Sequence, residues 1–438
     1  MKQPRPILFI LTLSLILSGN VLLADSGSPA GPSKVELRKT GEKYRLYVNG
    51  QEFYVKGAGC EFGDIATLKA HGANSFRTWR IDNGEKSGKE VLDEAHKYGL
   101  KVLMGIEVAR ERHGFDYNDS AAVATQLKKI LEDVNELKDH PALLGWGIGN
   151  ELNLNYTNKR VWDAVNDISE QIHKIDGNHP TTTMLAGIGK EEVDYIRDHC
   201  LSLDFISIQM YGDIINLAQR ISDAGYQGPY MITEWGATGH WEMPATEWNA
   251  PIEQTSSEKA EAIKTRYQEV ILKDTIHCLG SYVFLWEQKQ ERTPTWYGLF
   301  TDQYEETEAI DVMHYFWNGQ WPSNRATKIS GTRLDGKDRF ENIRLKAGQT
   351  YEVNLELNDP DRDDLTSRIE IAHESKDLGE GGDFESRPES IEVLVLKNEV
   401  DKIRFKAMKE PGAYRFFVYV LDGHNHAATV NFPFYIDE

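Results

Sequence analysis

The sequence predicts an α/β protein, a (β/α)8 TIM barrel, followed by an all-β immunoglobulin-like sandwich. Three observations carry this reading. Eight short apolar runs alternate with helical patterns over roughly 260 residues, close to the usual length of such a barrel. The runs are continuously apolar, as strands of a parallel sheet covered on both faces are. Past Trp321-Pro322-Ser323-Asn324 the helical periodicity stops and period-2 segments replace it.

The elements follow in order. Met1-Lys2-Gln3-Pro4-Arg5 gives a basic start and Ile7 to Leu17 is almost wholly apolar. With Ala24 before Asp25 as the cleavage point, residues 1–24 read as a signal peptide, so a secreted or periplasmic location is expected. The apolar run is short for a membrane span and no cysteine follows it for lipid attachment, so no stable membrane insertion is expected. A Gly/Ser/Pro-rich stretch, Asp25 to Lys34, leads into a hairpin over Val35–Tyr54 that turns at Asn49-Gly50. Barrel strands are expected at Tyr54–Cys60, Ala73–Trp79, Lys101–Val108 and Leu143–Glu151, then at Thr181–Ala186, Leu203–Tyr211, Pro229–Trp235 and Leu279–Trp286. Helices at Lys89–Tyr98, Ala121–Lys138, Arg160–Ile175 and Glu258–Ile276 show apolar residues at i, i+3, i+4 and i+7. Hairpin and barrel together occupy residues 33–322. The sandwich, residues 326–438, is expected to place strands at Tyr351–Leu357, Ile391–Leu396, Lys402–Ala407, Ala413–Val420 and Ala428–Ile436.

Composition narrows the function. Apolar residues make up 40% and charged residues 27% of the 438, a globular balance. A formal net charge of −20 repels the phosphates of nucleic acid and anionic membrane surfaces, so a neutral or cationic ligand is expected. Cys60, Cys200 and Cys278 build no disulfide framework and match no zinc spacing; they read as small buried apolar residues. No cofactor or metal is expected. Gly145-x-Gly147-x-Gly149 lacks the spacing of a dinucleotide fingerprint, and Gly187-Ile188-Gly189-Lys190 runs into Glu191 and forms no phosphate loop. The histidines form no His-Glu-x-x-His pattern. Asp359-Pro360-Asp361-Arg362-Asp363-Asp364 reads as a tight Asp-Pro turn, with a calcium loop of the cadherin-like kind as the alternative. Nothing in the sequence indicates an oligomeric state.

The chemistry is concentrated in two segments. Gly145-Trp146-Gly147-Ile148-Gly149-Asn150-Glu151 reads as a buried strand ending in an Asn-Glu pair, and Met231-Ile232-Thr233-Glu234-Trp235-Gly236 ends a later strand in a second glutamate. Function in such barrels collects at the C-terminal ends of the strands. Two carboxyl groups there, one beside an amide, are what retaining cleavage of a glycosidic bond needs, with roughly 5–5.5 Å between them.

The ordered set Asn74-Ser75-Phe76-Arg77, Gly149-Asn150-Glu151, Thr233-Glu234-Trp235-Gly236 and Phe284-Leu285-Trp286 resembles the retaining glycoside hydrolases of clan A. It is similar to the catalytic barrel of glycoside hydrolase family 2, and to families 5, 72 and 158, over about residues 45 to 320. The resemblance implies that Glu234 is the nucleophile and Glu151 the general acid/base. Asn150 is then expected to donate to the sugar 2-hydroxyl, and Arg77 to orient Glu234. Arg77 is preferred over Arg80 because period-2 alternation puts Arg77 and Trp79 on one face and Arg80 on the other. Tyr211 is expected to hydrogen-bond the nucleophile and Trp286 to stack on the sugar. Trp235, with Trp241, Trp248 and Trp296, is a candidate sugar platform. The polar loops carrying Glu107, Glu111, Arg112 and His113, and Glu287 to Thr293, are candidates for setting specificity.

The function expected is that of an exported retaining β-glycoside hydrolase acting on a β-linked oligo- or polysaccharide. A barrel followed by one immunoglobulin-like domain is similar in layout to family 158 endo-β-1,3-glucanases, which points to a β-1,3-glucan. No family 2 sandwich domains precede the barrel, which turns the expectation away from β-galactosidase or β-glucuronidase activity. A transglycosylase on the same two glutamates and a non-catalytic carbohydrate-binding barrel are the alternatives.

Overall fold

The computed structural model describes residues 31–437; the signal peptide expected over residues 1–24 lies outside them. The described residues begin with an antiparallel sheet of β1 (Val35–Thr40), β2 (Lys43–Val48) and β3 (Gln51–Phe53). Two turns therefore replace the single expected one. The second is Asn49-Gly50, with φ of 51° and 82°, as a two-residue type I′ turn requires.

The barrel follows as β4 (Val55–Gly59), α1 (Ile65–Ala70), β5 (Ser75–Arg77), α2 (Gly88–Lys97), β6 (Lys101–Ile106), α3 (Ser120–Leu137), β7 (Leu143–Asn150) and α4 (Arg160–Ile175). It continues through β8 (Thr181–Ala186), α5 (Lys190–His199), β9 (Phe205–Gln209), α6 (Leu217–Ala224), β10 (Tyr230–Trp235), α7 (Ser256–Arg266), β11 (Cys278–Val283) and α8 (Glu308–Asn318). The strands are parallel and in sequence order, and β11 pairs with β4 to close the ring. Cys60, Cys200 and Cys278 are free and buried. The helix expected to reach Ile276 ends ten residues sooner, at Arg266, in one π turn over Tyr267–Ile271. Asp274 then accepts from the N–H groups of Ile276 and His277, a local turn that competes with the helix.

The N-terminal sheet decides which end of the barrel is open. Val35, Leu46 and Val48 pack with Val55, Leu103, Leu144, Met231 and Tyr282. The N–H groups of Val35 and Tyr44 donate to the carbonyls of Asn178 and Ile276, in the turns that lead into β8 and β11. This sheet covers the N-terminal end and leaves the C-terminal mouth free.

A β-sandwich follows. One sheet has the order β12 (Lys328–Leu334), β14 (Thr350–Asn358), β17 (Lys402–Lys406), β16 (Val395–Glu399). The other has β13 (Ile343–Lys346), β19 (Ala427–Asp437), β18 (Gly412–Leu421), β15 (Thr366–His373). Strands β12, β13 and β15 were not expected. The apolar run Ile391–Leu396 is mostly loop: Leu394 and Leu396 are 59% and 51% exposed, on or beside an edge strand and outside the core.

A buried ionic cluster joins sandwich to barrel. Glu253 accepts from Lys259 (2.5 Å), Thr293 (2.5 Å) and Asn431 (2.5 Å). Arg415 donates to Asn431 (2.7 Å) and to the Pro251 carbonyl (2.8 Å) and pairs with Glu374 at 3.0 Å. Removing one partner leaves the others charged and dry. Glu253→Ala is therefore expected to cost about 3–5 kcal/mol of stability in calorimetric or urea unfolding. A loss below about 1 kcal/mol, the scale of an exposed pair, would show that the cluster does not hold the joint.

Candidate active site

Each barrel strand points its last side chains at the open mouth, and β5, β7, β9 and β10 meet there. Glu234, near the end of β10, is 5% exposed. Its Oε1 accepts from Trp79 Nε1 (2.8 Å) and Gln209 Nε2 (2.9 Å) and lies 3.3 Å from Arg77 Nη1. Its Oε2 accepts from the Tyr211 hydroxyl at 3.0 Å. Three hydrogen-bond donors and the Arg77 guanidinium thus fix the carboxylate. Burial, then the Glu234 charge, pushes the Tyr211 phenol well above its usual range, so it stays a donor.

Arg77 is fully buried; it also donates to Asn150 Oδ1 (2.7 Å) and lies over the Trp79 ring at 4.5 Å. Gln209 Nε2 donates to the same Asn150 oxygen at 2.7 Å. These two donors assign the amide orientation and leave the Asn150 N–H2 group for the cleft that the residue lines. Arg80 pairs with Glu61 at 2.7 Å.

The strand β7 is turned outward at its end. Gly149 has φ 71°, where an added Cβ would meet Leu152 Cδ1 at 2.5 Å, and Glu151 itself has φ 50°. A non-glycine residue there is strained by roughly 1–2 kcal/mol. The turn presents Glu151 to the mouth. Burial first, and the Glu234 charge second, raise its carboxyl pKa to about 8, against the pull of Arg110, Arg77 and Arg112.

The mouth is a cleft of two adjoining lobes, each of about 500 Å³. Glu234 lines the first lobe only; Glu151, Tyr211, Trp241 and Gly381 line both. The first lobe also carries Glu61, Glu287 and Lys289. Burial, with Glu61 adding to it, raises the Glu287 carboxyl to about 7.

Two expected sugar contacts are corrected. Trp235 follows Glu234 on the strand, so it faces the helix layer; it is fully buried and stacks on Tyr267 at 5.5 Å. Trp286 is also fully buried, donates to the Asp64 carbonyl (3.2 Å) and packs on Phe300 at 5.3 Å. Phe284 and Leu285 line the cleft in its place. Trp296 donates to the Thr238 carbonyl and Trp248 packs on Tyr435, whereas Trp241 is 60% exposed on the cleft. Trp79 and Gln209 were not singled out in sequence as site residues. Their signal was available: each sits at or just past a strand end, two residues from a residue already chosen.

Carboxylate oxygens of Asp359, Asp361 and Asp363 lie within 4.8 Å of one another, outside the cleft. They accept from Thr327 (2.7 Å), the Arg325 N–H (2.8 Å) and Asn324 (2.7 Å), tying the acidic loop to the linker before β12.

Residues 60–245 match the sequence family described as glycosyl hydrolases family 2, TIM barrel domain. No curated protein matches the chain. Among solved structures, an FMN-binding β-glucuronidase from Facaelibacterium prausnitzii L2-6 is similar at 14% identity, over 92% of this chain and 59% of that one, with a TM-score of 0.50. A calcium-binding mutant of Bacteroides uniformis β-glucuronidase 2 shows 13% identity over 92% and 48%, also with a TM-score of 0.50. A β-D-glucuronidase for Dictyoglomus thermophilum shows 20% identity over 65% and 54%, with a TM-score of 0.49. The chain thus spans about half the length of these solved chains.

Proposed function

We propose that this chain, a glycoside hydrolase whose barrel is of the family 2 kind, cleaves a neutral β-linked saccharide by double displacement with retention. One observation carries the reading: a carboxylate fixed by three hydrogen-bond donors and an arginine, Glu234, shares a cleft with a second carboxyl, Glu151, whose pKa burial and the Glu234 charge raise. Glu234 attacks the anomeric carbon, and the bond to the departing oxygen breaks as Glu151 gives that oxygen its proton. Glu151, now a base, takes a proton from water, which attacks the same carbon and releases Glu234. Asn150, its oxygen occupied by Arg77 and Gln209, turns its N–H2 toward the sugar 2-hydroxyl, a contact that strengthens in the transition state.

Charge supports a neutral sugar over the glucuronides named for the similar structures. The basic groups lining the first lobe each face a carboxylate: Arg80 with Glu61 (2.7 Å), Lys289 with Glu291 (2.7 Å) and Arg110 with Asp383 (3.9 Å). Glu287 adds a further carboxyl. A uronate would meet like charge without a dedicated cation. An aryl β-glucoside or β-galactoside is expected to exceed the β-glucuronide in kcat/KM by at least about tenfold, and by more as pH rises above 7 and Glu287 ionises. Equal or faster turnover of the glucuronide would remove the neutral-sugar assignment. Among polymers, β-1,3-glucan is the first to assay, with product sizing. Export and an immunoglobulin-like kinship of the sandwich belong to the same proposal.

A further inference from the structure

We infer that the second lobe of the cleft holds the leaving or accepting saccharide, and that the sandwich builds part of it. This rests on the double-displacement reading above. The acid must reach the oxygen that joins the two sugars, so Glu151 marks the border between them. The lobe that contains Glu234 takes the sugar being attacked. The lobe that Glu151 lines and Glu234 does not takes the partner on the other side of the bond.

Both lobes have a wall from outside the barrel: Gly381, Gly382, Asp383 and Phe384 line the first, and Gly379, Glu380 and Gly381, at the start of the same segment, line the second. All belong to the sandwich segment between β15 and β16. Gly381 sits at φ 56°, and an added Cβ would lie 2.4 Å from Leu154 Cδ2, in the loop after β7. Glycine is what lets the segment lie this close to the loop that carries Glu151. Asn155 of the same loop donates to Glu380 at 2.7 Å.

The segment is pinned at both ends by barrel loops. Arg112, after β6, pairs with Asp383 at 2.5 Å. Arg292, after β11, pairs with buried Glu385 at 2.9 Å, gives it a backbone N–H at 2.6 Å and donates to the Gly379 carbonyl at 3.1 Å. Neither Arg112 nor Glu385 lines the cleft, so both act as positioning residues. Trp241 lines both lobes at their border.

A saccharide seated there can replace water. Its hydroxyl gives a proton to Glu151 and forms a bond to the anomeric carbon as the ester to Glu234 breaks. The test uses the full chain trapped with a 2-fluoro aryl β-glycoside. Cellobiose, laminaribiose and lactose are then titrated, and release of the Glu234 ester is followed by intact mass. The wild type is expected to show saturable acceleration by at least one of them. In Glu385→Gln and, separately, Glu385→Ala, the half-saturating concentration is expected to rise about tenfold, while the trapping rate stays within about twofold. A shift below about threefold in both variants, or a trapping rate that falls in proportion as a general structural loss would cause, overturns the inference. So does a wild type that none of the three accelerates. Failure to trap Glu234 at all would instead strike the double-displacement reading.

Discussion

Glu234→Gln is expected to lower kcat/KM on any glycoside by about 10⁴–10⁶-fold, because it removes the atom that forms the covalent intermediate. The substitution keeps size and shape but replaces a charge with an amide. Trp79, Gln209 and Tyr211 donate to Glu234, and Arg77 pairs with it. A glutamine N–H2 cannot accept from them, so the side chain keeps Trp79 and Gln209 only with its oxygen at the Oε1 position and its N–H2 facing the Tyr211 hydroxyl. The loss should be the same for good and poor leaving groups, since no route to the intermediate survives. Smaller nucleophiles offer a control: formate with Glu234→Gly is expected to restore turnover of an activated glycoside by occupying the vacated position. A loss under about tenfold, too small for removal of a nucleophile, would take Glu234 out of that role.

Glu151→Gln is expected to behave differently. Hydrolysis of an unactivated saccharide should fall by about 10²–10⁴-fold, the range of general acid/base catalysis. A dinitrophenyl glycoside, whose leaving group needs no proton, should still form the glycosyl-enzyme rapidly and then stall, because the second step has lost its base. Azide, which attacks without a base, should relieve the stall. The pH profile gives an independent reading. In the proposed mechanism bond cleavage needs Glu151 protonated, and burial and the Glu234 charge raise its pKa to about 8. The wild-type kcat/KM should therefore hold below pH 8 and fall as pH rises through it. That alkaline limb should be missing in Glu151→Gln. In Glu234→Gln the Glu151 carboxyl should titrate lower, since one of the two causes of its shift is gone. A limb that survives in Glu151→Gln would belong to another group.

The barrel and the two glutamates were legible in the sequence for one physical reason. A closed parallel barrel requires eight buried runs, and the residues at their C-terminal ends have nowhere to point but the mouth. Alternation along the second strand also placed Arg77 and Trp79 together, as their shared approach to Glu234 reflects. The same rule, left unapplied one residue beyond Glu234, misplaced Trp235, which belongs to the opposite face. Trp286 was misread because an aromatic next to the mouth can turn into the helix layer, as its packing on Phe300 and Trp317 shows. The apolar run Ile391–Leu396 misled because its leucines are exposed beside a sheet edge, where periodicity does not report burial. Least legible was the sandwich segment over the cleft. Arg112 and Asp383 are 271 residues apart, and no local pattern announces a contact between two domains at that separation.

The most direct test of the two-glutamate assignment is to trap the enzyme with a 2-fluoro β-glycoside carrying a dinitrophenyl leaving group and to map the label by peptide mass. The expected result is one 2-fluoroglycosyl group per chain, carried on Glu234. Label on Glu151 or on any other residue, or no covalent adduct while the natural saccharide is turned over with inversion, would contradict the account.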